Sequence, residues 1–183
     1  MKILKRLGLL LLLMVLILAV LVMQPIEDPT PNYMADHFEK FEQYLEKRDE
    51  RNIEVSQADL AWHLDHILKT MNTIYDAVEQ SETEKFPGSS FSIQKKMLFL
   101  MGDFPRGVAQ APESVRPPEV ILTDDLLSQL ERSKRRMNDA HKLDPGQYFD
   151  HPVFGPMGRN EAIRFIRIHT DHHYKIIEDI LIQ

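Results

Sequence analysis

The sequence predicts an all-α protein, a four-helix bundle preceded by a single N-terminal transmembrane helix. Three observations support this prediction. The segment from Leu7 to Met23 carries no charged residue. Later segments place apolar residues three and four positions apart, which is the spacing of one helix face. No segment shows a convincing strand pattern. We therefore divide the chain into a signal anchor at residues 1–25, a linker at 26–32 and a helical domain at 33–183.

The N-terminal segment has the layout of a signal peptide or of an uncleaved signal anchor. Lys2, Lys5 and Arg6 precede the apolar run, and either kind of segment begins with positive charge. A membrane span needs about 17 to 25 apolar residues, and the run reaches the lower limit, so length favours the anchor. The positive-inside rule then predicts a single-pass inner-membrane protein whose soluble domain is periplasmic. A cleaved signal peptide and secretion remain the alternative.

Composition excludes several classes of function. The chain contains no cysteine, which excludes disulfides and thiolate chemistry. With the three N-terminal basic residues set aside, the 22 basic residues fall to 19, against 28 acidic ones. Such a surface repels phosphate backbones, so we expect no nucleic-acid partner. The expected partners are the membrane, through the N-terminal helix, and an unidentified small-molecule substrate, and the sequence leaves a homodimer open.

Two helices are predicted in the first half of the soluble domain. The first covers about residues 32–50, and the second begins with a cap at Ser56 and ends before Pro87. The apolar stripe of the second helix consists of Leu60, Leu64, Ile67, Met71, Ile74 and Val78.

A short helix is predicted between Ser90 and Gly107, and it is stopped by Pro105. The next principal helix begins at Thr123, whose hydroxyl is expected to cap it. Residues 151–158 form a structured turn, and the last helix then runs almost to the C-terminus.

The histidines of the two longest helices differ in their positions on the helical wheel. His169 and His173 fall within the apolar stripe of the last helix. His63 lies on the flank of the stripe of the second helix. His66 lies about twice as far round, towards solvent, and His172 also lies to one side.

Buried imidazoles must be hydrogen-bonded or bound to a metal. An i,i+4 pair such as His169 and His173 can place two nitrogens on one ion, about 2.0 to 2.1 Å away for zinc. A third histidine across the bundle would leave an open position for water or substrate. The alternative is that hydrogen bonds satisfy these histidines and that they are purely structural.

The sequence also resembles a known family. Ser56 followed by His63-Leu64, and His169-Thr170-Asp171-His172-His173 near the C-terminus, resemble the DinB superfamily of metal-dependent helical bundles. The segment His151-Pro152-Val153-Phe154-Gly155 is similar to the HPxFG turn of a DinB-like branch of unknown function. The resemblance covers roughly residues 35 to 182.

The resemblance implies a divalent metal, zinc or nickel, held by His63, His169 and His173. It also implies an enzyme, a metal-dependent hydrolase or thiol transferase, although it assigns no catalytic residue. The alternative is a non-catalytic metal-binding or protein-interaction bundle of the cell envelope. The sequence leaves the roles of His66, His151 and His172 undecided, although His151 fits a turn-shaping role better than a metal-binding one.

Overall fold

A computed structural model describes residues 2–22, 24–107 and 110–182. Met1 and Met23 of the predicted anchor, and Gln183 of the predicted helical domain, lie outside the described residues. The described part is mostly helical and contains a small two-stranded sheet. Its elements are α1 (Lys2–Val22), α2 (Ala35–Leu45), α3 (Leu60–Glu79), α4 (Ile93–Met101), α5 (Thr123–Asp139), β1 (Tyr148–His151), β2 (Gly155–Gly158) and α6 (Arg159–Leu181).

Helix α3 lies at the centre of the helical domain. It packs against α6 and α5, and also against α2. The predicted apolar stripe of α3 is buried along its whole length, with relative exposures of 3% or less. Because neighbours surround α3 on several sides, polar residues off the stripe are buried as well.

The prediction of an all-α fold is wrong, because residues 148–158 form a β-hairpin. Tyr148 pairs with Gly158 and His151 pairs with Gly155 in an antiparallel register. The second strand contains two glycines and a proline, a composition that β-propensity disfavours. Gly155 adopts φ +67°, a left-handed conformation that suits glycine.

Tertiary contacts stabilise this hairpin. Met157 is fully buried, and Ser90 donates its backbone N–H to Pro156 O at 3.0 Å. The buried Lys95 Nζ donates to Pro156 O at 3.2 Å and to Glu161 Oε2 at 2.9 Å. Lys95 thereby joins α4, the hairpin and α6, and none of these long-range contacts leaves a local pattern in the sequence.

The prediction of a transmembrane helix is also wrong. Across residues 2–22, 24–107 and 110–182, none of the helices combines the length and the apolarity that a membrane crossing needs. Helix α1 ends at Val22, and Lys2, Lys5 and Arg6 belong to it. Membrane tethering and the single-pass periplasmic location, which depended on this helix, are corrected with it.

Two predicted helix caps differ in the structure. Asp59 caps α3, since its Oδ1 accepts a hydrogen bond from Trp62 N at 2.9 Å. Ser56, the predicted cap, instead places its Oγ 3.1 Å from His63 Nε2. Thr123 is the first residue of α5, and its hydroxyl accepts a hydrogen bond from Arg48 Nη1 at 2.7 Å.

The interface between α3 and α5 contains a buried polar contact that can be tested. Asn72 Nδ2 donates to Ser133 Oγ at 2.8 Å, and Ser133 is fully buried. We expect Ser133→Ala to lower the free energy of unfolding by about 1 kcal/mol, because the Asn72 amide loses one partner. Urea denaturation measures this loss. Ser128→Ala, at an exposed position of the same helix, is the matched control and should change stability by less than about 0.5 kcal/mol. Equal losses in the two variants would contradict the assignment.

Candidate metal centre

Three histidines from two helices meet where α3 packs against α6. His169 and His173 lie one turn apart on α6, and His66 faces them from α3. Each contributes one ring nitrogen to a group in which all three atoms lie within 4.8 Å of one another. The ring centroids are 4.6 Å apart for His169 and His173, 4.8 Å for His66 and His173, and 5.0 Å for His66 and His169. Three histidines therefore cluster in a way that could hold a metal ion.

The spacing of these nitrogens suits a shared ion after a small closure of the rings. Two nitrogens bound tetrahedrally to one zinc, each about 2.0 to 2.1 Å from it, lie about 3.4 Å apart. Three imidazoles on one side of the ion would leave further coordination positions for water or a ligand.

His63, one of the three predicted ligands, lies beside this group. Its Nδ1 is 2.9 Å from His173 Nδ1, and its Nε2 is 3.1 Å from Ser56 Oγ. Both ring nitrogens of His63 therefore already have partners within the protein. The structure brings the predicted residues His169 and His173 together with His66. His63 lies next to this group and contacts it through His173.

The prediction that His66 faces solvent is wrong, because a distant segment covers it. His66 and His63 are each only 4% exposed. His66 Nδ1 donates to the carbonyl oxygen of Val115 at 2.8 Å, and Val115 belongs to the segment between α4 and α5. A helical wheel treats one side of a helix as open, whereas α3 is covered on that side too. The only sequence signal for His66 was a second histidine three positions after His63 on the same helix.

The Val115 carbonyl also determines which nitrogen of His66 is available. A neutral imidazole carries one proton, and the hydrogen bond places that proton on Nδ1. The lone pair of Nε2 is then free for an ion. A backbone carbonyl that orients a ligating histidine in this way is a common partner at protein metal sites.

Aromatic side chains enclose the cluster. The Trp62 ring stacks on the His66 ring, with centroids 5.1 Å apart. Phe165 stacks on His169 at 6.2 Å, and Phe104 contacts the same ring edge-on at 6.1 Å. Of the three clustered histidines, only His169 is not fully buried as a residue.

Burial keeps these histidines neutral at pH 7. Loss of water around the ring lowers the pKa of His63 to about 4 and lowers that of His66. The same cause lowers the pKa values of His169 and His173 well below the usual value, and neighbouring imidazoles add to the effect. Neutral imidazoles have the lone pairs that a metal ion requires.

The other histidines considered from the sequence lie outside the group. His151 Nδ1 accepts the backbone N–H groups of Val153 and Phe154 at 3.0 and 3.2 Å, and so it closes the hairpin turn. His172 Nδ1 lies 3.4 Å from Asp103 Oδ1. The His172 ring nevertheless lies 5.3 Å from the His173 ring, centroid to centroid, and the His151 ring contacts Phe165, which stacks on His169.

Two carboxylates that are close to these histidines in sequence have partners elsewhere. Asp65 is only 2% exposed, and it pairs with Lys69 Nζ at 2.6 Å. Asp65 Oδ1 also accepts a hydrogen bond from Gln129 Nε2 at 2.8 Å. Asp171 Oδ1 lies 2.8 Å from His37 Nε2. In the structure both carboxylates serve helix packing.

Comparisons of the chain with protein-family models, with curated proteins and with solved structures found no match. The resemblance to the DinB superfamily therefore stays a prediction from the sequence motifs. The functional argument that follows depends on the geometry of the histidine cluster.

Proposed function

We propose that this chain is a metal-dependent protein in which His66, His169 and His173 hold one divalent ion, zinc or nickel, for hydrolysis or group transfer. The observation that carries the proposal is the convergence of three neutral ring nitrogens within 4.8 Å. Uncharged imidazoles accept zinc, nickel and other late transition metals, so the donor set supports a divalent ion without selecting one.

The residues around the site have defined roles in this proposal. His66 binds through Nε2, because Val115 engages its Nδ1 at 2.8 Å. Trp62 covers the cluster at His66 and Phe104 covers it at His169. When bound, the ion supplies Lewis acidity, which lowers the pKa of a coordinated water or other nucleophile.

A non-catalytic metal-binding role is the second candidate. It is favoured by the deep burial of two of the three histidines, since His66 is only 4% and His173 only 8% exposed. A centre this enclosed would suit an ion that stabilises the packing of α3 on α6. Both candidates require a bound ion, but only the first predicts that the protein converts a substrate.

Hydrolysis of the activated esters 4-nitrophenyl acetate and 4-nitrophenyl phosphate by the zinc-loaded full chain separates the candidates. For the catalytic role we expect hydrolysis that 1,10-phenanthroline removes and that one equivalent of zinc restores. His66→Ala should lose it, because that variant retains only two of the three ligands.

His141→Ala is the matched control, since His141 lies at the end of α5 and bonds the Asn138 carbonyl. It should keep the activity. One equivalent of bound zinc without turnover of either ester would favour the non-catalytic role. Absence of both zinc and nickel binding by the wild-type chain would reject both candidates.

A further inference from the structure

We propose that His63 is a positioning residue for the metal centre: it accepts a hydrogen bond from His173 and is itself held by Ser56. This inference rests on the proposed function, because it assigns how one of the three ligands is oriented. It gives His63 a role different from that of a metal ligand, which the sequence motif implied.

The contacts form a continuous chain from the loop before α3 to the metal centre. Ser56 Oγ accepts the Ala58 N–H at 3.1 Å and lies 3.1 Å from His63 Nε2. His63 Nδ1 lies 2.9 Å from His173 Nδ1. Each of these distances is that of an ordinary hydrogen bond. The contact between His63 and His173 is buried, because the two side chains are only 4% and 8% exposed.

The positions of the protons follow from the ion. His173 Nδ1 faces His63, so Nε2 is the His173 nitrogen left for a metal. A neutral imidazole bound through Nε2 carries its single proton on Nδ1. That proton is donated to His63 Nδ1, which must therefore be unprotonated. The proton of His63 then lies on Nε2 and is donated to Ser56 Oγ.

Metal binding thus selects one tautomer at both histidines. Without an ion, the reverse arrangement is equally consistent with the distances, because His63 Nδ1 could donate to His173 and the Ser56 hydroxyl could donate to His63. With the ion, that arrangement would protonate His173 on Nε2 and block it as a ligand. His63 therefore favours binding by orienting the His173 ring and by accepting its proton.

The expected contribution to affinity is substantial. Loss of the hydrogen-bond partner of a ligating histidine typically weakens metal binding by about 10- to 100-fold. The effect should depend on an acceptor at the position of His63 Nδ1 and not on the imidazole itself. Asparagine places its amide oxygen at the same number of bonds from the backbone, whereas leucine places a methyl group there.

The first measurement uses the zinc-loaded full chain with ¹⁵N-labelled histidine and a long-range ¹H–¹⁵N correlation spectrum. We expect zinc-bound Nε2 signals from His66 and His173, one zinc-bound ring nitrogen of His169, and a His63 ring protonated on Nε2 alone. Zinc on either nitrogen of His63, or a proton on its Nδ1, would overturn the inference.

The second measurement compares zinc affinity in His63→Asn and His63→Leu. We expect the Kd of His63→Leu to rise about 10- to 100-fold and that of His63→Asn to stay within about threefold of wild type. The cobalt absorption spectrum of both variants should keep the wild-type band positions, because the ligand set does not change. An unchanged zinc affinity in His63→Leu would overturn the inference. So would a shift of the cobalt bands in either variant of the kind that loss of a metal ligand causes.

Ser56→Ala tests the outer end of the chain of contacts. It should weaken zinc binding less than His63→Leu does, because His63 remains but loses the group that holds its Nε2. A wild-type chain that binds neither zinc nor nickel would contradict the proposed function. That failure is visible before any variant is made, so it is distinct from failure of the role assigned to His63. If His63→Leu does not fold, the ¹H–¹⁵N spectrum of the zinc-loaded wild-type chain still tests the role assigned to His63.

Discussion

The double substitution of His169 and His173 by alanine is expected to abolish zinc binding, so that one equivalent per wild-type chain falls to none. The variant keeps only one of the three clustered imidazoles, and a single imidazole does not retain an ion through dialysis. Elemental analysis of the dialysed full chain measures the stoichiometry.

Loss of the site should also remove the stabilisation by zinc. At a free zinc concentration of 100 times Kd, binding adds about 2.7 kcal/mol to the free energy of unfolding. For a chain of this size, that corresponds to a rise in Tm of about 5 to 10 °C. Thermal denaturation with and without zinc should show this rise in the wild type and no rise in the variant.

The control for the double variant is His141→Ala, which removes a histidine outside the cluster. It should retain both the bound zinc and the rise in Tm. If the double variant still bound one equivalent of zinc, the ion would lie elsewhere, and the clustered histidines would have a structural role.

The metal-free protein is expected to lose stability steeply as the pH falls from about 6.5 to about 4. Burial lowers the pKa of His63 from 6.5 to about 4 in the folded chain. Between these values the unfolded chain binds a proton that the folded chain does not, so acid favours unfolding. The stabilising effect is complete above the unfolded pKa and is lost as the pH falls to the folded one.

His63 alone accounts for about 3 kcal/mol of this loss, since each pKa unit corresponds to about 1.4 kcal/mol. The pKa values of His66, His169 and His173 are lowered too, so the total exceeds this figure. Urea denaturation at several pH values, with a chelator present, measures the slope.

The variant His63→Leu provides the comparison for the acid prediction. Because it removes one of the depressed pKa values, its stability should fall by about 3 kcal/mol less than that of the wild type over the same pH range. If the free energy of unfolding had the same pH dependence in the two proteins, the lowered pKa assigned to His63 would be contradicted.

The helices of this protein could be predicted because their determinants are local. The apolar stripe from Leu60 to Val78 repeats at the helical period, and it is buried as expected. Pro105 also placed the end of α4 to within about four residues, and Thr123 placed the start of α5 to within one residue. These signals depend on neighbours within one or two turns, and such neighbours can be read directly from a sequence.

Local signals of this kind could not predict the hairpin, and they could not predict that His66 belongs to the histidine cluster. The strand Gly155–Gly158 has a composition that disfavours strands, and it is held by Lys95 and Ser90 from a distant segment. His66 is buried because Val115, 49 residues further along the chain, covers it. A helical wheel contains no information about a distant segment that packs over the helix.

By itself, the sequence determined the helical character of residues 33–183 and the i,i+4 pair His169 and His173, because both depend on the helical repeat. The tertiary structure decided that His66 joins this pair and that His63 contacts it through His173 Nδ1. The physical reason is that His63 and His66 are three residues apart on one helix, so local spacing brings both near α6. Only the packing of α3 against α6, and of the Val115 segment over α3, determines which nitrogen of each ring has a partner and which is left for an ion.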